Sequence, residues 1–152
     1  MRRFTILLLL GAIGCGGKKE PEAATPESAM QATVDGFLAA VKSNDINRMA
    51  QLWGTDKGPA AATMDATELT QRLSVIQKYL AHTGYRIVEG PTSVPASPRL
   101  RTYRIELQRS NCTRVLPMDL IFSRTGSWLV YDVHLEAAGN PVLGCPPTGT
   151  RP

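Results

Sequence analysis

The spacing of apolar residues changes from helical to alternating near residue 84. Before that point, apolar side chains recur every three or four residues, which indicates amphipathic helices. Three helices are predicted, at about 27–43, 46–53 and 67–82. Asp45 stands where its carboxylate would cap the second helix. The segment 54–66 is rich in Gly, Pro and Ala, and we expect a loop there.

After residue 84, apolar and polar side chains alternate, as they do in half-buried strands. Four strands are predicted, at about 85–88, 100–109, 113–123 and 127–136. The short connections after the second and third strands favour antiparallel hairpins. The proline-rich stretch 91–98 is expected to be a loop or an irregular edge.

Alternation divides the side chains of the three longer strands into two faces. The nearly pure apolar face, expected to pack against the helices, contains Tyr103, Ile105, Leu107, Leu116, Met118, Leu120, Phe122, Leu129, Tyr131, Val133 and Leu135. The mixed face, expected to meet solvent, contains Arg104, Glu106, Gln108, Asp119, Ile121, Trp128, Val130, Asp132 and His134. A candidate ligand pocket on the apolar side is formed by Phe37, Tyr103, Met118 and Tyr131.

Two stretches resemble motifs of the NTF2-like superfamily. Residues 34–45 resemble its opening helix, with the pattern F-x-x-A-x-x-x-x-D, and residues 126–133 resemble its last strand, with the pattern G-x-W-x-I/V-x-x-V. The resemblance implies an α+β fold in which three N-terminal helices pack on a curved antiparallel sheet of about four strands. It covers about 28–136, and we expect a domain at 28–138 followed by a Pro/Gly-rich tail at 139–152. Because that superfamily contains both enzymes and binding modules, the resemblance does not choose an activity.

The first residues have the layout of an export signal. Arg2 and Arg3 precede an apolar run from Phe4 to Ile13, which is too short to span a bilayer. The run ends in Ala-Ile-Gly-Cys at 12–15, which resembles the lipobox of bacterial lipoproteins. The resemblance implies that residues 1–14 are removed and that Cys15 receives a diacylglycerol and an acyl chain such as palmitate, which would anchor the protein to a membrane. The alternative is an ordinary secreted protein in which Cys15 is incidental.

The residues after Cys15 bear on how the protein is held. Residues 15–27 lack large apolar side chains and are predicted to be a flexible tether. In the lipoprotein family, an Asp after the lipidated cysteine favours the inner membrane. Gly16 stands there instead, so we expect an outer-membrane protein facing the periplasm, with the cell surface as the alternative.

Composition fits one globular domain, with 43% hydrophobic and 20% charged residues. The formal net charge of +4 includes Arg2 and Arg3, which leave with the leader, so the working protein is closer to neutral. Basic residues do not cluster with aromatic ones, and we therefore expect no nucleic-acid partner.

Two cysteines remain once Cys15 is acylated, in an exported and oxidising setting. The predicted hairpin register brings Cys112 near the end of the last strand, within reach of Cys145 in the tail. We predict a disulfide between them that would tie down the tail; two free thiols are the alternative.

Candidate chemistry is sparse. Asp132 and His134 share a face of the last strand, but it is the solvent face, so we expect a surface pair and assign no catalytic residue. His82 is expected to cap a helix end. The two histidines are far apart in sequence and no cysteines have metal-ligand spacing, so neither a metal nor a cofactor is expected.

The leading hypothesis is therefore a membrane-anchored, non-enzymatic module that binds a small ligand or an envelope protein. The competing hypothesis is an NTF2-like enzyme, such as an isomerase or a hydrolase-like member, with an acid–base site inside the cone. A third is a homodimer through the sheet, for which Ile121, Trp128 and Val130 would supply the contact.

Overall fold

The computed structural model describes residues 26–110, 112–141 and 143. Within this part the chain is α+β. Its helices are α1 (Pro26–Ser43), α2 (Ile46–Leu52), α3 (Ala60–Thr63), α4 (Ala66–Tyr79) and α5 (Leu135–Ala138). Its strands are β1 (Gly54–Thr55), β2 (Gly58–Pro59), β3 (Gly84–Val94), β4 (Ser97–Gln108), β5 (Thr113–Phe122) and β6 (Trp128–Val133). The predicted leader, the lipidation site Cys15 and most of the predicted tether and tail lie outside the described residues.

Helices α2 and α4 begin where an aspartate side chain satisfies free N–H groups of the first turn. The Asp45 carboxylate accepts a hydrogen bond from the Arg48 N–H at 2.9 Å, so the predicted cap of α2 is confirmed. The Asp65 carboxylate caps α4 in the same way. The apolar stripe predicted for α1 is buried and consists of Met30, Val34, Phe37, Leu38 and Val41.

Two helical boundaries differ from the sequence-based expectation. The segment 54–66 contains the β1–β2 hairpin and α3 rather than a structureless loop. Helix α4 ends at Tyr79 instead of His82, because Leu80 is its cap and Gly84 already begins β3. No helix in the described ranges has the length and apolarity needed to cross a membrane.

The four longer strands form one antiparallel sheet with the order β3-β4-β5-β6, which confirms the predicted four-stranded antiparallel sheet. Strand β3 is longer than predicted. It continues through Pro91 to Val94, with register shifts between Ile87 and Thr92. Proline is tolerated there because β3 is an edge strand.

A β-bulge in β6 decides which side chains enter the core. Asp119 pairs with Asp132, but the next residue of β5, Leu120, pairs with Val130. Tyr131 therefore has no partner in β5. An extra residue of this kind reverses the alternation of the strand on one side of it.

Four assignments based on strict alternation are consequently wrong, namely those of Trp128, Leu129, Val130 and Tyr131. Val130, predicted on the solvent face, is fully buried in the core cluster, whereas Tyr131, predicted on the apolar face, is 43% exposed. Leu129, predicted on the apolar face, pairs with Ile121 on the opposite face from Val130. The side chains of Leu129 and Ile121 are both buried. The dimer surface expected from Ile121, Trp128 and Val130 is therefore not an exposed apolar patch.

The core lies between α1, α4 and one face of the sheet. The sheet contributes buried side chains from three adjacent strands, namely Tyr103, Ile105, Leu107, Leu116, Met118, Leu120, Val130 and Val133. The helices contribute Phe37, Leu38, Met49, Leu73 and Leu80, among others. These residues make the interior almost entirely apolar.

Arg109 connects the end of the sheet to two helix ends. Its guanidinium donates hydrogen bonds to the main-chain oxygens of Tyr79, Ala81 and Ala138. These carbonyls lie after or near the last turns of α4 and α5, where intrahelical donors run out. The planar guanidinium matches several acceptors at once, which an ammonium group cannot do.

We predict that Arg109→Lys lowers the free energy of unfolding by about 1–3 kcal/mol, because three carbonyls, two of them in part-buried contacts, lose charge-assisted hydrogen bonds. Urea unfolding measures it. The matched control is Arg104→Lys on the exposed sheet face, where Arg104 binds Glu89 in a solvated ion pair; its effect should stay within about 0.5 kcal/mol. Equal destabilisation by the two substitutions contradicts this role for Arg109.

Candidate functional site

Three of the four residues of the predicted pocket meet in the core. Phe37, Tyr103 and Met118 are all buried in the main cluster. The Tyr103 hydroxyl is buried and has no hydrogen-bond partner among the residues that the structure describes. Burial raises the pKa of Tyr103, and the carboxylates of Glu27 and Asp35 raise it further, so the phenol stays neutral. A neutral phenol supplies a hydrogen bond to a ligand and is a poor base.

The fourth pocket residue, Tyr131, lies elsewhere because the bulge turns it out of the core. It lines a separate cavity of about 150 Å³ beside Trp53, Met64 and Arg72. The predicted pocket of Phe37, Tyr103, Met118 and Tyr131 is therefore not one site.

Acid–base groups do not line the interior. Among the buried residues of the described chain, the polar ones are Thr33 and Ser123. None of the buried positions in those ranges carries a carboxylate or an imidazole. Within the described ranges, the fully buried positions therefore hold no carboxylate–imidazole pair, and the partly buried Tyr85 hydroxyl, beside the core, donates to Asp35 at 2.7 Å.

A larger concave site lies where the helix-facing side of the sheet meets the first turns of α1. This site, called the α1 groove below, has a volume of about 510 Å³, within the range of small-molecule sites. It is lined by Pro26, Ala29, Thr33, Phe122, Gly126, Ser127 and Trp128. All of these side chains are uncharged.

Two aromatic rings form the floor of the α1 groove. Phe122 and Trp128 are paired across β5 and β6, and their ring centroids are 5.2 Å apart at an interplanar angle of 52°. Trp128 was predicted on the solvent face. The bulge at Tyr131 places it on the same face as Phe122, because alternation is reversed between Tyr131 and the turn.

The wall of the α1 groove is fixed to the sheet by Thr33. Its hydroxyl lies 3.0 Å from the Ala29 carbonyl oxygen and 3.3 Å from the Trp128 carbonyl oxygen, and donates to them. The second contact joins α1 to β6. Phe122 remains 39% exposed, so an apolar ligand in the groove would remove aromatic surface from water.

Asp132 and His134 lie on the face of the sheet opposite the helices, as predicted. Strand β6 ends at Val133. The next residue, His134, donates its N–H to the Pro117 carbonyl, but proline has no N–H with which to form the second hydrogen bond of the pair, and this helps to end the strand. His134 Nε2 lies 3.2 Å from Asp119 Oδ2. Burial lowers the pKa of His134, but the nearby carboxylates outweigh burial and raise it overall.

Asp119 is the member of this cluster that sequence reasoning missed. It pairs directly with Asp132 across the hairpin, and the Thr102 hydroxyl donates to Asp119 Oδ1 at 2.6 Å. The hairpin register that placed Cys112 near the end of the last strand also aligns 119 with 132. The pairing of Asp119 with Asp132 could therefore have been predicted from that register.

The predicted disulfide stays a prediction. Cys112 directly precedes β5, while Cys145 lies outside the described residues. Cys15 lies outside them as well.

His82 sits after α4 with its ring half-buried. Its Nδ1 is 2.8 Å from the Leu80 carbonyl oxygen, so the neutral ring donates from Nδ1. Its Nε2 is buried without a partner. Burial lowers the pKa of His82, and the charges of Lys42 and Arg109 lower it further. The expected helix-end cation is thus disfavoured, although the ring does contact a terminal carbonyl.

No protein-family model, curated protein or solved structure matches this chain. A functional conclusion therefore rests on the geometry of the α1 groove, the buried interior and the Asp119–Asp132–His134 cluster, and on the sequence of the leader.

We predict that His82 makes the fold less stable in mild acid. Its pKa is depressed in the folded state, so the unfolded chain binds more protons as the pH falls below about 6.5. Well above that pH, His82 is neutral in both the folded and the unfolded state, so it does not lower the free energy of unfolding there. His82→Asn keeps a donor near the Leu80 carbonyl and cannot titrate, so its free energy of unfolding should fall less steeply between pH 7.5 and pH 5. Identical slopes for the two proteins rule this out.

Proposed function

We propose that this protein is an exported, lipid-anchored module of the cell envelope that binds a small, uncharged and largely apolar ligand in the α1 groove. The anchor is proposed at Cys15, from the lipobox-like sequence at 12–15. An outer-membrane location facing the periplasm is favoured by Gly16. The observation that carries the binding role is a concave, uncharged groove of about 510 Å³ floored by two aromatic rings.

We also propose an NTF2-like fold for the domain. Helices that precede a four-stranded antiparallel sheet are compatible with it. The residues of the opening motif have the burial that such a motif requires, since Phe37 and Ala40 are buried and Asp45 caps the next helix. Trp128, from the closing motif, floors the α1 groove.

Binding is favoured over catalysis by the chemistry of the interior. Buried carboxylates and imidazoles are lacking among the described core residues, and the one buried phenol there with a shifted pKa, Tyr103, has that pKa raised. The polar side-chain groups of the residues that line the groove are the hydroxyls of Thr33 and Ser127 and the indole N–H of Trp128. Such a site selects by shape and apolar contact.

The position of the α1 groove relates it to the proposed anchor. Pro26 lines the groove and begins α1, so the last two residues of the tether predicted at 15–27 belong to the helix. A fully extended chain covers at most about 3.6 Å per residue, so the groove stays within about 40 Å of Cys15. A ligand would thus be held close to the membrane surface.

We predict that a bacterial host with lipoprotein processing removes residues 1–14 and lipidates Cys15. Mass spectrometry of the amino-terminal peptide should show the diacylglycerol and acyl additions on Cys15. Cys15→Ser should release the protein from washed membranes, whereas the control Cys112→Ser should leave it there. An amino terminus at another residue, or an unmodified Cys15, contradicts the anchor.

The α1 groove is tested by filling it. We predict that native mass spectrometry of the full chain, extracted from membranes in mild detergent, shows a noncovalent adduct that Ala29→Trp eliminates. Ala29 lines the groove, so an indole there occupies the ligand's space. The matched control is Ala39→Trp, the same change at an exposed position of the same helix, which should keep the adduct. Absence of an adduct from the wild type, or equal occupancy in the two variants, refutes ligand binding in the groove without affecting the anchor.

A further inference from the structure

We propose that Asp119, Asp132 and His134 form a binding site for a divalent transition-metal ion on the solvent face of the sheet. One donor atom from each residue, two carboxylate oxygens and an imidazole nitrogen, can be chosen so that all three lie within 4.8 Å of one another. Asp119 and Asp132 are paired directly across β5 and β6, and His134 follows β6 immediately, as the residue before α5.

The separation of the donors suits one ion. Metal–oxygen and metal–nitrogen bonds of about 2.0–2.2 Å place neighbouring ligands about 3.0–3.5 Å apart. His134 Nε2 and Asp119 Oδ2 are already 3.2 Å apart. The Asp132 side chain is exposed, and its Oδ1 accepts a hydrogen bond from the Val133 N–H at 2.8 Å.

The ligands are oriented by groups outside the set. The Thr102 hydroxyl donates to Asp119 Oδ1, which leaves Oδ2 toward His134. Glu136 Oε1 lies 3.2 Å from His134 Nδ1, on the far side of the ring from Asp119. A carboxylate at the second nitrogen of a ligating histidine fixes the tautomer that presents Nε2 to a metal.

Charge provides an independent reason for a cation. Asp119 and Asp132 are direct cross-strand partners, an arrangement that is unfavourable for like charges. Neither carboxylate forms an ion pair with a Lys or Arg among the described residues, and Glu136 adds a third negative charge. Arg104, on the same face of the sheet, is paired instead with Glu89. One imidazolium cannot neutralise the two aspartates, whereas a divalent ion bound between them balances their two charges.

The donor set points to the class of ion. Imidazole nitrogen favours zinc and related transition metals, while magnesium and calcium prefer oxygen-only sites. Three protein ligands on an exposed face leave a position for water, so an occupied site would hold an exchangeable ligand. The site is separate from the α1 groove, which lies on the other face of the sheet.

Zinc binding to the full chain in mild detergent, with thiols alkylated beforehand, tests the proposal by calorimetry. We expect one zinc per chain, no comparable uptake of magnesium, and at least tenfold weaker binding in Asp119→Asn and in Asp132→Asn. The matched controls are His82→Asn, which removes the other histidine, and Glu106→Gln, which removes a carboxylate from the same face; both should bind as the wild type does. Dissociation constants weaker than about 1 mM for the wild type, or unchanged affinity in both Asp variants, overturn the proposal.

A second measurement does not depend on how the variants fold. Substoichiometric Mn²⁺ or Co²⁺ added to the wild-type chain should broaden or shift the imidazole resonances of His134 and leave those of His82 unchanged. Equal effects on both histidines, or none on His134, contradict a metal site at this position.

Discussion

The structure depends on one extra residue in one strand. Tyr131 has no partner in β5, so the pairing of β6 shifts by one between Asp132 and Val130. Side chains alternate with a period of two, and a single insertion therefore exchanges the faces on one side of it. On the turn side of the bulge, Val130 enters the core and Trp128 joins Phe122 on the helix-facing side. On the other side, Val133 stays in the core and Asp132 stays in solvent beside Asp119. Leu129, which faces away from the main core, is covered where the Gly54 backbone approaches its side chain closely.

The two sites that the proposals invoke are consequences of this exchange. The α1 groove needs Trp128 and Phe122 on the same face, with Thr33 of α1 hydrogen-bonded to the Trp128 carbonyl. The Asp119–Asp132–His134 cluster needs Asp132 on the opposite face. Without the bulge, a strand that kept Asp132 in solvent would also have turned Trp128 outward, and the groove would lose half of its aromatic floor. The proposed ligand site and the proposed metal site thus share β6 but use its two ends and its two faces. Among the described residues, the apolar core between them has no buried acid–base pair.

Much of the fold could be predicted from the sequence because it follows from short-range patterns. The apolar stripe of α1, the Asp45 cap and the antiparallel hairpins all depend on residues close together in the chain. What failed were assignments that need long-range pairing: Tyr131 in the pocket, Trp128 and Val130 on an exposed dimer face, and an unbroken strand through 136. No local signal marks the bulge, since Val130 and Tyr131 both suit a strand. The Asp119–Asp132–His134 cluster was missed because Asp119 and Asp132 are neighbours only across the hairpin, although the predicted register already aligned them. By contrast, the predicted lipidation at Cys15 rests on a local pattern, and it is the residue-level prediction that depends least on the fold.

The pairing of β5 with β6 can be measured directly by nuclear Overhauser contacts between backbone protons of the isotope-labelled full chain in detergent. The account predicts cross-strand contacts of Asp119 with Asp132 and of Leu120 with Val130 in the same sample, with Tyr131 making none to β5. Contacts of Leu120 with Tyr131 and of Ile121 with Val130 would show a regular ladder. That result would contradict the bulge, and with it the placement of Trp128 in the groove.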